Sequence, residues 1–251
     1  MGDRATKTAL WLTHSTPQFP KRNQNHFWPL SGAKNGQTFL CVSLPFAELG
    51  KVGQHLRYIR AYSFDFDLPT DFPNELQNAA SWLFPAAGNT ELGNFQVMST
   101  RGSVELKMMA KPTGTSVTVG DLYVKLAAGL NSDVRVHVWG CQRDESFCDR
   151  GQKQVLSVER LNTGIGIWQT GRDHSKWAVT TAPGVTWTCF GDVNRKDTQY
   201  ERWGGALCIQ NAQLNHLFKD ISDQTLQCRK RPHACSDDEL SSGSDSDSSF
   251  R

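Results

Sequence analysis

Short apolar runs with two-residue alternation recur along most of this chain, and stretches of 3.6-residue periodicity lie among them. This interleaving restricts the fold more than any other feature. The spacing predicts strands over residues 10–13, 38–44, 95–99, 104–109, 134–139, 155–158, 165–168 and 177–181. Helices are expected over 46–58 (Leu49, Val52 and Leu56 on one face, with Ile59 just beyond), over 119–130 (Leu122, Tyr123, Leu126, Leu130) and over 212–221 (Leu214, Leu217, Phe218, Ile221). Strands alternating with helices imply an α/β layer structure. Pro17, Pro20, Pro29, Pro69 and Pro73 mark loops. With 38% hydrophobic residues, 8 Trp and 13 Phe in 251 residues, the chain has the apolar material for one large domain or two small ones. No run of about 18 apolar residues occurs, so no membrane-spanning helix is expected.

The formal net charge of +2 conceals a split. Residues 236–251 hold Asp237, Asp238, Glu239, Asp245 and Asp247 against Arg251 alone, and almost nothing apolar. This segment is expected to be a disordered acidic, Ser-rich tail. The remaining residues 1–235 carry 26 Lys and Arg against 20 Asp and Glu, a net of +6 that suits a polyanionic partner. Arg229-Lys230-Arg231, just before the tail, reads as a solvated basic stub. The seven cysteines (Cys41, Cys141, Cys148, Cys189, Cys208, Cys228, Cys235) lack the Cys-x-x-Cys spacing of a zinc site, so no metal is expected from them.

Chemistry concentrates between Asp173 and Gly205. On an extended segment, His174 and Lys176 point to the same face because side chains alternate. Asn194 follows eighteen residues later, after a turn. Imidazole, ammonium and carboxamide together suit a phosphodiester: the first attacks phosphorus or moves a proton, and the others neutralise and orient the non-bridging oxygens. Taken alone, His-x-Lys is a common surface pattern.

The wider context is distinctive. Asp173-His174-Ser175-Lys176-Trp177, Trp187-Thr188-Cys189, Gly191-Asp192-Val193-Asn194-Arg195 and Gly204-Gly205-Ala206-Leu207-Cys208 resemble, in this order, the C-terminal signature of the deoxyribonuclease II family within the phospholipase D superfamily. Trp11-Leu12-Thr13-His14-Ser15-Thr16-Pro17, Gly36-Gln37-Thr38-Phe39-Leu40-Cys41-Val42-Ser43 and Gly120-Asp121-Leu122-Tyr123 extend the resemblance over roughly residues 9–228. It implies an α/β, phospholipase-D-like fold of two similar halves with mixed sheets about a pseudo-twofold axis. Residues 1–105 would be the remainder of an incomplete first half, and 106–235 the second half.

The resemblance also implies an acid endodeoxyribonuclease. It would cleave DNA without metal or cofactor, through a phosphohistidine, and leave 3′-phosphate ends. His174 would be the nucleophile or the acid/base, Lys176 the phosphate neutraliser and Asn194 a donor to a non-bridging oxygen. Asp173 or Asp192 is a candidate to orient the imidazole. His14 and Ser15 would line the pocket from the other half, and Asp192, Arg195 and Arg202, with Lys196, would meet the DNA. Trp177, Trp187 and Trp203 are expected to pack core and loop surfaces rather than stack on bases. By resemblance, Cys189 pairs with Cys208 and Cys148 with Cys228, which requires an oxidising compartment and a lysosomal or secreted location.

The chain departs from the pattern at its start. Met1-Gly2-Asp3-Arg4 is followed by no apolar signal stretch, and the family's first His-x-Lys and the cysteine that would pair with Cys41 have no counterpart before Trp11. Either the sequence opens at an internal methionine or it is a degenerate paralogue. Ala9-Leu10-Trp11-Leu12 reads as an interior strand, which favours the first. The alternative function is a catalytically inactive secreted paralogue that binds nucleic acid or a protein partner. A phospholipase-D-type lipid hydrolase is disfavoured because Gly191-Asp192-Val193-Asn194 replaces the superfamily's Gly-Ser-x-Asn. The sequence assigns no oligomeric state.

Overall fold

The computed structural model describes residues 1–17, 28, 30, 32–86, 91–140, 144–222 and 224–228. The acidic tail, the basic stub, Cys141 and Cys235 lie outside the described residues. The architecture is mixed α/β. Strands β1 (Gly2–Asp3), β2 (Thr8–His14) and β3 (Phe39–Pro45) form an antiparallel sheet in that order. Seven further strands, β4 (Phe95–Ser99), β5 (Glu105–Ala110), β6 (Val134–His137), β7 (Val155–Ser157), β10 (Trp177–Thr180), β11 (Trp187–Gly191) and β12 (Gly205–Gln210), form the main sheet in the order β4-β5-β12-β11-β10-β6-β7. All its pairs are antiparallel except β6–β7. A hairpin of β8 (Arg160–Asn162) and β9 (Ile167–Gln169) stands apart. The helices are α1 (Leu49–Tyr58), α2 (Asn74–Ala80), α3 (Val117–Gly120), α4 (Leu122–Gly129) and α5 (Ala212–Ile221).

Alternation along the strands divides the core into two faces. Ala178, Cys189, Ala206, Cys208 and Met109 meet Leu122, Tyr123 and Leu126 of α4 on one side. On the other side, Met98, Leu106, Met108 and Leu207 meet Ala9, Val42 and Leu44 of the small sheet and Leu49 and Val52 of α1. Further along that side, Trp177, Val179 and Phe190 meet Phe218 of α5 and Leu161 of β8. Each such aliphatic side chain gains about 1.5–3 kcal/mol on leaving water. The small sheet is thereby held against the main one, with the end of β2 and the start of β3 beside the loop that precedes β10.

The strand expectations are met within about two residues, and α5 forms over the expected span, capped by Asn211, whose side chain accepts from the Leu214 N–H at 2.9 Å. The first expected helix begins as a 3-10 turn over Phe46–Glu48. The second is interrupted at Asp121, whose extended backbone (φ −78°, ψ 114°) ends α3 and whose carboxylate caps α4 through Tyr123 N–H at 2.8 Å. The sequence patterns do not mark helix α2 or strands β1, β8, β11 and β12. The expected division at residues 105/106 falls at β5, which is hydrogen-bonded to β4 in one sheet.

Both disulfides implied by the resemblance form. Cys189 and Cys208 face each other directly across β11 and β12, with Cα atoms 3.9 Å apart. Cys148 and Cys228, 80 residues apart in sequence, tie the end of the described chain to the loop before β7. Cys41 is exposed and unpaired. No helix among the described residues is long and apolar enough to cross a membrane.

Candidate active site

The segment Asp173–Lys176 runs into β10 and is clasped from the small-sheet side. Gly36 N–H donates to the Arg172 carbonyl at 2.8 Å, and His174 N–H donates to the Gly36 carbonyl at 2.8 Å. Gly36 has no room for a side chain, since a Cβ there would lie 2.7 Å from Asp173 Oδ2. Ser15, at the end of β2, is fixed on Thr38 by its N–H to the Thr38 carbonyl (3.1 Å) and by its hydroxyl, which accepts from Thr38 N–H (2.9 Å) and donates to Gln37 Oε1 (2.7 Å).

His174 Nδ1 lies 2.7 Å from the Ser15 carbonyl oxygen. A carbonyl only accepts, so Nδ1 carries the proton in either charge state, and proton transfer or attack on phosphorus falls to Nε2. The expectation that Asp173 or Asp192 orients this ring is therefore corrected: a backbone carbonyl from the other sheet does so. Asp173 instead accepts from Ser175, through its N–H at 2.8 Å and its hydroxyl. It also lies 3.3 Å from Nε2 of the fully buried His137. Burial works to raise the Asp173 pKa, but His137 and Ser175 hold it down at about 2.

Lys176 is buried, and its ammonium donates to the carbonyl of His174 at 3.0 Å. Its own carbonyl accepts from Gly191 N–H at 2.9 Å, which sets the β11 exit beside it. Asn194 follows that exit. Its Oδ1 accepts from Trp139 N–H at 3.1 Å, and its own N–H donates to Gln199 Oε1 at 2.6 Å. With the oxygen so occupied, the NH2 group is the part of this side chain left for an anion. The Trp139 indole packs on the His174 ring, centroids 4.7 Å apart. Trp139 thus touches both His174 and Asn194, a role no sequence motif announced. Its signal is positional: β6 pairs with β10 so that His137 opposes Trp177, which brings the residues just past β6 beside those just before β10.

Asp192 is exposed to solvent, yet so enclosed that desolvation raises its pKa to about 6, against the Gly205 N–H bond (2.8 Å to Oδ1) and the charges of Lys111 and Lys176. Lys111, also unmarked by any motif, is fully buried, donates to the Tyr200 carbonyl at 2.7 Å and is lowered by burial to about 8.

The other expected contacts divide. Arg195 is not available to DNA, and that expectation is corrected. Its residue is 1% exposed, its Nε donates to Asp121 Oδ2 at 2.8 Å, and its Nη1 meets the carbonyls of Asp144 and Glu145 and Ser157 Oγ. Arg202 lies exposed on the loop before β12, and Lys196 is half-buried. His14 stacks on Phe39 (5.6 Å), which pairs with it across β2 and β3 on the face that also exposes Leu12 and Cys41. Ser15 meets His174 through its backbone carbonyl. Trp177 and Trp187 are buried, and Trp203 lies under the Arg60 guanidinium at 3.9 Å, as packing residues would.

The family model for deoxyribonuclease II matches residues 3–228. The chain belongs to the deoxyribonuclease II family. It is 32% identical over 225 residues to plancitoxin-1 of Acanthaster planci, covering 85% of this chain and 60% of that protein. It is 31% identical over 238 residues to deoxyribonuclease-2-alpha of Sus scrofa (90% and 63%) and 31% over 234 residues to cell-death-related nuclease 7 of Caenorhabditis elegans (90% and 62%). The chain therefore spans about three-fifths of the length of the curated relatives it matches. In this deoxyribonuclease II family member, Trp139 meets both the His174 ring and the Asn194 side chain, and the Lys176 ammonium sits on the His174 carbonyl.

Proposed function

We propose that the chain is an endodeoxyribonuclease whose site is built on His174, Lys176 and Asn194. One observation carries the reading: Ser15 holds His174 through Nδ1, which leaves Nε2 the reacting nitrogen, while Lys176 is anchored on the His174 carbonyl and Asn194 on the Trp139 N–H. The names of the relatives, two of them a deoxyribonuclease and a nuclease, agree with it. In the reaction one imidazole attacks phosphorus, forming an N–P bond as the P–O5′ bond breaks. An acid delivers a proton to the departing O5′, and water then cleaves the N–P bond to release a 3′-phosphate. Lys176 balances the extra negative charge of the transition state, and Asn194 donates to a non-bridging oxygen. His174 fills one of the two imidazole roles. The phospholipase-D-like pairing of halves, independence of metal, and a lysosomal or secreted setting belong to the same proposal, and the two disulfides support an oxidising compartment. The test is nicking of supercoiled plasmid near pH 5 in EDTA by the chain completed with the family's first His-x-Lys segment, because the second imidazole of the reaction has no counterpart before Trp11. Nicking that survives EDTA and disappears with His174→Ala is expected; equal nicking by the variant, or none that survives EDTA, refutes the proposal.

A further inference from the structure

We infer that Trp139 is a positioning residue of this site: its indole sets the plane in which the His174 imidazole is presented to phosphorus, while its backbone holds the Asn194 carboxamide in the same frame. The inference rests on the nuclease reading above and deepens it by naming a side chain on which the rate of that chemistry depends.

A hydrogen bond at one ring nitrogen fixes a point and not a plane. The Ser15 carbonyl meets His174 at Nδ1, 2.7 Å away, and a ring pivoting about that contact would carry Nε2 through an arc. Trp139 supplies a flat surface against the pivot. Its ring centroid lies 4.7 Å from that of His174, with 47° between the planes, within the range at which aromatic rings pack on one another. The two contacts come from different sheets, Ser15 from the end of β2 and Trp139 from the exit of β6. Together they define where Nε2 points.

Trp139 is itself held in place from both sides. Before it, His137 pairs with Trp177 across β6 and β10, and Val138 is buried. After it, Gly140 N–H donates to the Thr170 carbonyl at 3.4 Å, and the Thr170 hydroxyl donates to the Gly140 carbonyl at 3.3 Å. Gly140 turns there with φ +97°, a conformation that glycine adopts without strain. The 3-10 turn Thr170–Arg172 leads directly into Asp173 and His174, so the backbone that carries the indole is tied to the segment that delivers the imidazole. The main chain and the side chain of Trp139 do separate jobs. Its N–H donates to Asn194 Oδ1 at 3.1 Å, a bond that any residue except proline keeps. Its indole Nε1–H is buried and has no hydrogen-bond partner, so the side chain contributes its flat face rather than its polar atom.

The test changes the side chain and leaves the backbone donor. Trp139→Phe keeps a flat ring and gives up only an unpaired N–H, whereas Trp139→Met fills the space without a flat face. Both are introduced into the completed chain, and nicking is followed near pH 5 in EDTA over a range of DNA concentrations. Misplacement of about 1 Å costs about a hundredfold in rate, so Trp139→Met should lower kcat by about that factor and leave KM close to that of the parent. Trp139→Phe should recover most of the loss. Parental activity in both variants, an equal loss in both, or a loss confined to KM overturns the inference. A second measurement needs neither turnover nor a folded variant at position 139. In the unsubstituted chain, NMR should show Overhauser contacts between the His174 imidazole protons and the Trp139 indole protons, with the imidazole signals assigned by their loss in His174→Ala. Absence of those contacts also overturns the inference. Failure of His174→Ala to abolish nicking would instead sink the nuclease reading, and the contact seen by NMR would stand apart from it.

Discussion

Replacing Arg195 separates a structural arginine from a DNA-binding one. Its guanidinium and the Asp121 carboxylate are 1% and 0% exposed and 2.8 Å apart. Arg195→Ala would leave that carboxylate buried without a counter-charge, with Asp144 nearby adding repulsion. Breaking a buried pair from one side costs about 3–5 kcal/mol, a large part of the roughly 5–15 kcal/mol that holds a typical domain together. At about 2–4 °C per kcal/mol for a chain of this size, the melting temperature should drop by about 10 °C. The pH dependence has a definite sign. Burial raises the Asp121 pKa while Arg195 opposes the rise, so loss of Arg195 lifts it further. A carboxyl whose folded pKa exceeds its unfolded value is best tolerated below the unfolded value and costs stability as pH climbs through the folded one. The melting deficit should therefore be larger at pH 7 than at pH 5. Circular-dichroism melts at both pH values, with oligonucleotide binding measured well below the transition, decide the matter. A variant that melts within about 2 °C of the parent but binds DNA much more weakly would place Arg195 on the surface and refute the argument.

Two further perturbations bear on the scaffold and the site. Cys189→Ala with Cys208→Ala removes a crosslink that closes 19 residues, so urea unfolding should give a stability lower by about 3 kcal/mol; an unchanged midpoint would mean that the bond does not form. Gly36→Ala places a Cβ 2.7 Å from Asp173 Oδ2 and 3.0 Å from its Cγ, forcing the clasp that carries His174 to shift. Misplacement of about 1 Å costs about a hundredfold in rate, so nicking should fall steeply while the melting temperature changes little. Full activity would show that this clasp does not position the imidazole.

Much of the layer structure was legible because alternation and helical periodicity record which side chain faces which layer. Thus β2 to β5 and α5 appear where their patterns put them. Strands β11 and β12 escaped notice because Trp187–Gly191 and Gly205–Gln210 are buried on both faces and show no alternation between apolar and polar residues. Asp121 interrupts an unbroken helical pattern because its side chain caps the next turn, a choice made by one hydrogen bond. At the proposed site, His174, Lys176 and Asn194 are read from chemistry and order. The group that orients His174 was not, since a backbone carbonyl at Ser15 leaves no mark in residue identity. Arg195 misled for a related reason: its partner Asp121 lies 74 residues earlier, and nothing local distinguishes a buried guanidinium from a loop arginine. Trp139 and Lys111 owe their places to strand register, which only the folded chain displays.

The central claim is that one phosphate is held by His174 through Nε2, with Lys176 and the Asn194 amide around it. A crystal structure of the chain carrying His174→Asn, soaked with a short oligonucleotide, tests the surrounding groups. The same soak of the unsubstituted chain with a non-hydrolysable phosphorothioate tests the ring itself. The account predicts a phosphate within hydrogen-bond reach of His174 Nε2, Lys176 Nζ and Asn194 Nδ2, with Nδ1 still on the Ser15 carbonyl. A strand bound elsewhere, or a ring turned so that Nδ1 meets the phosphate, would contradict it.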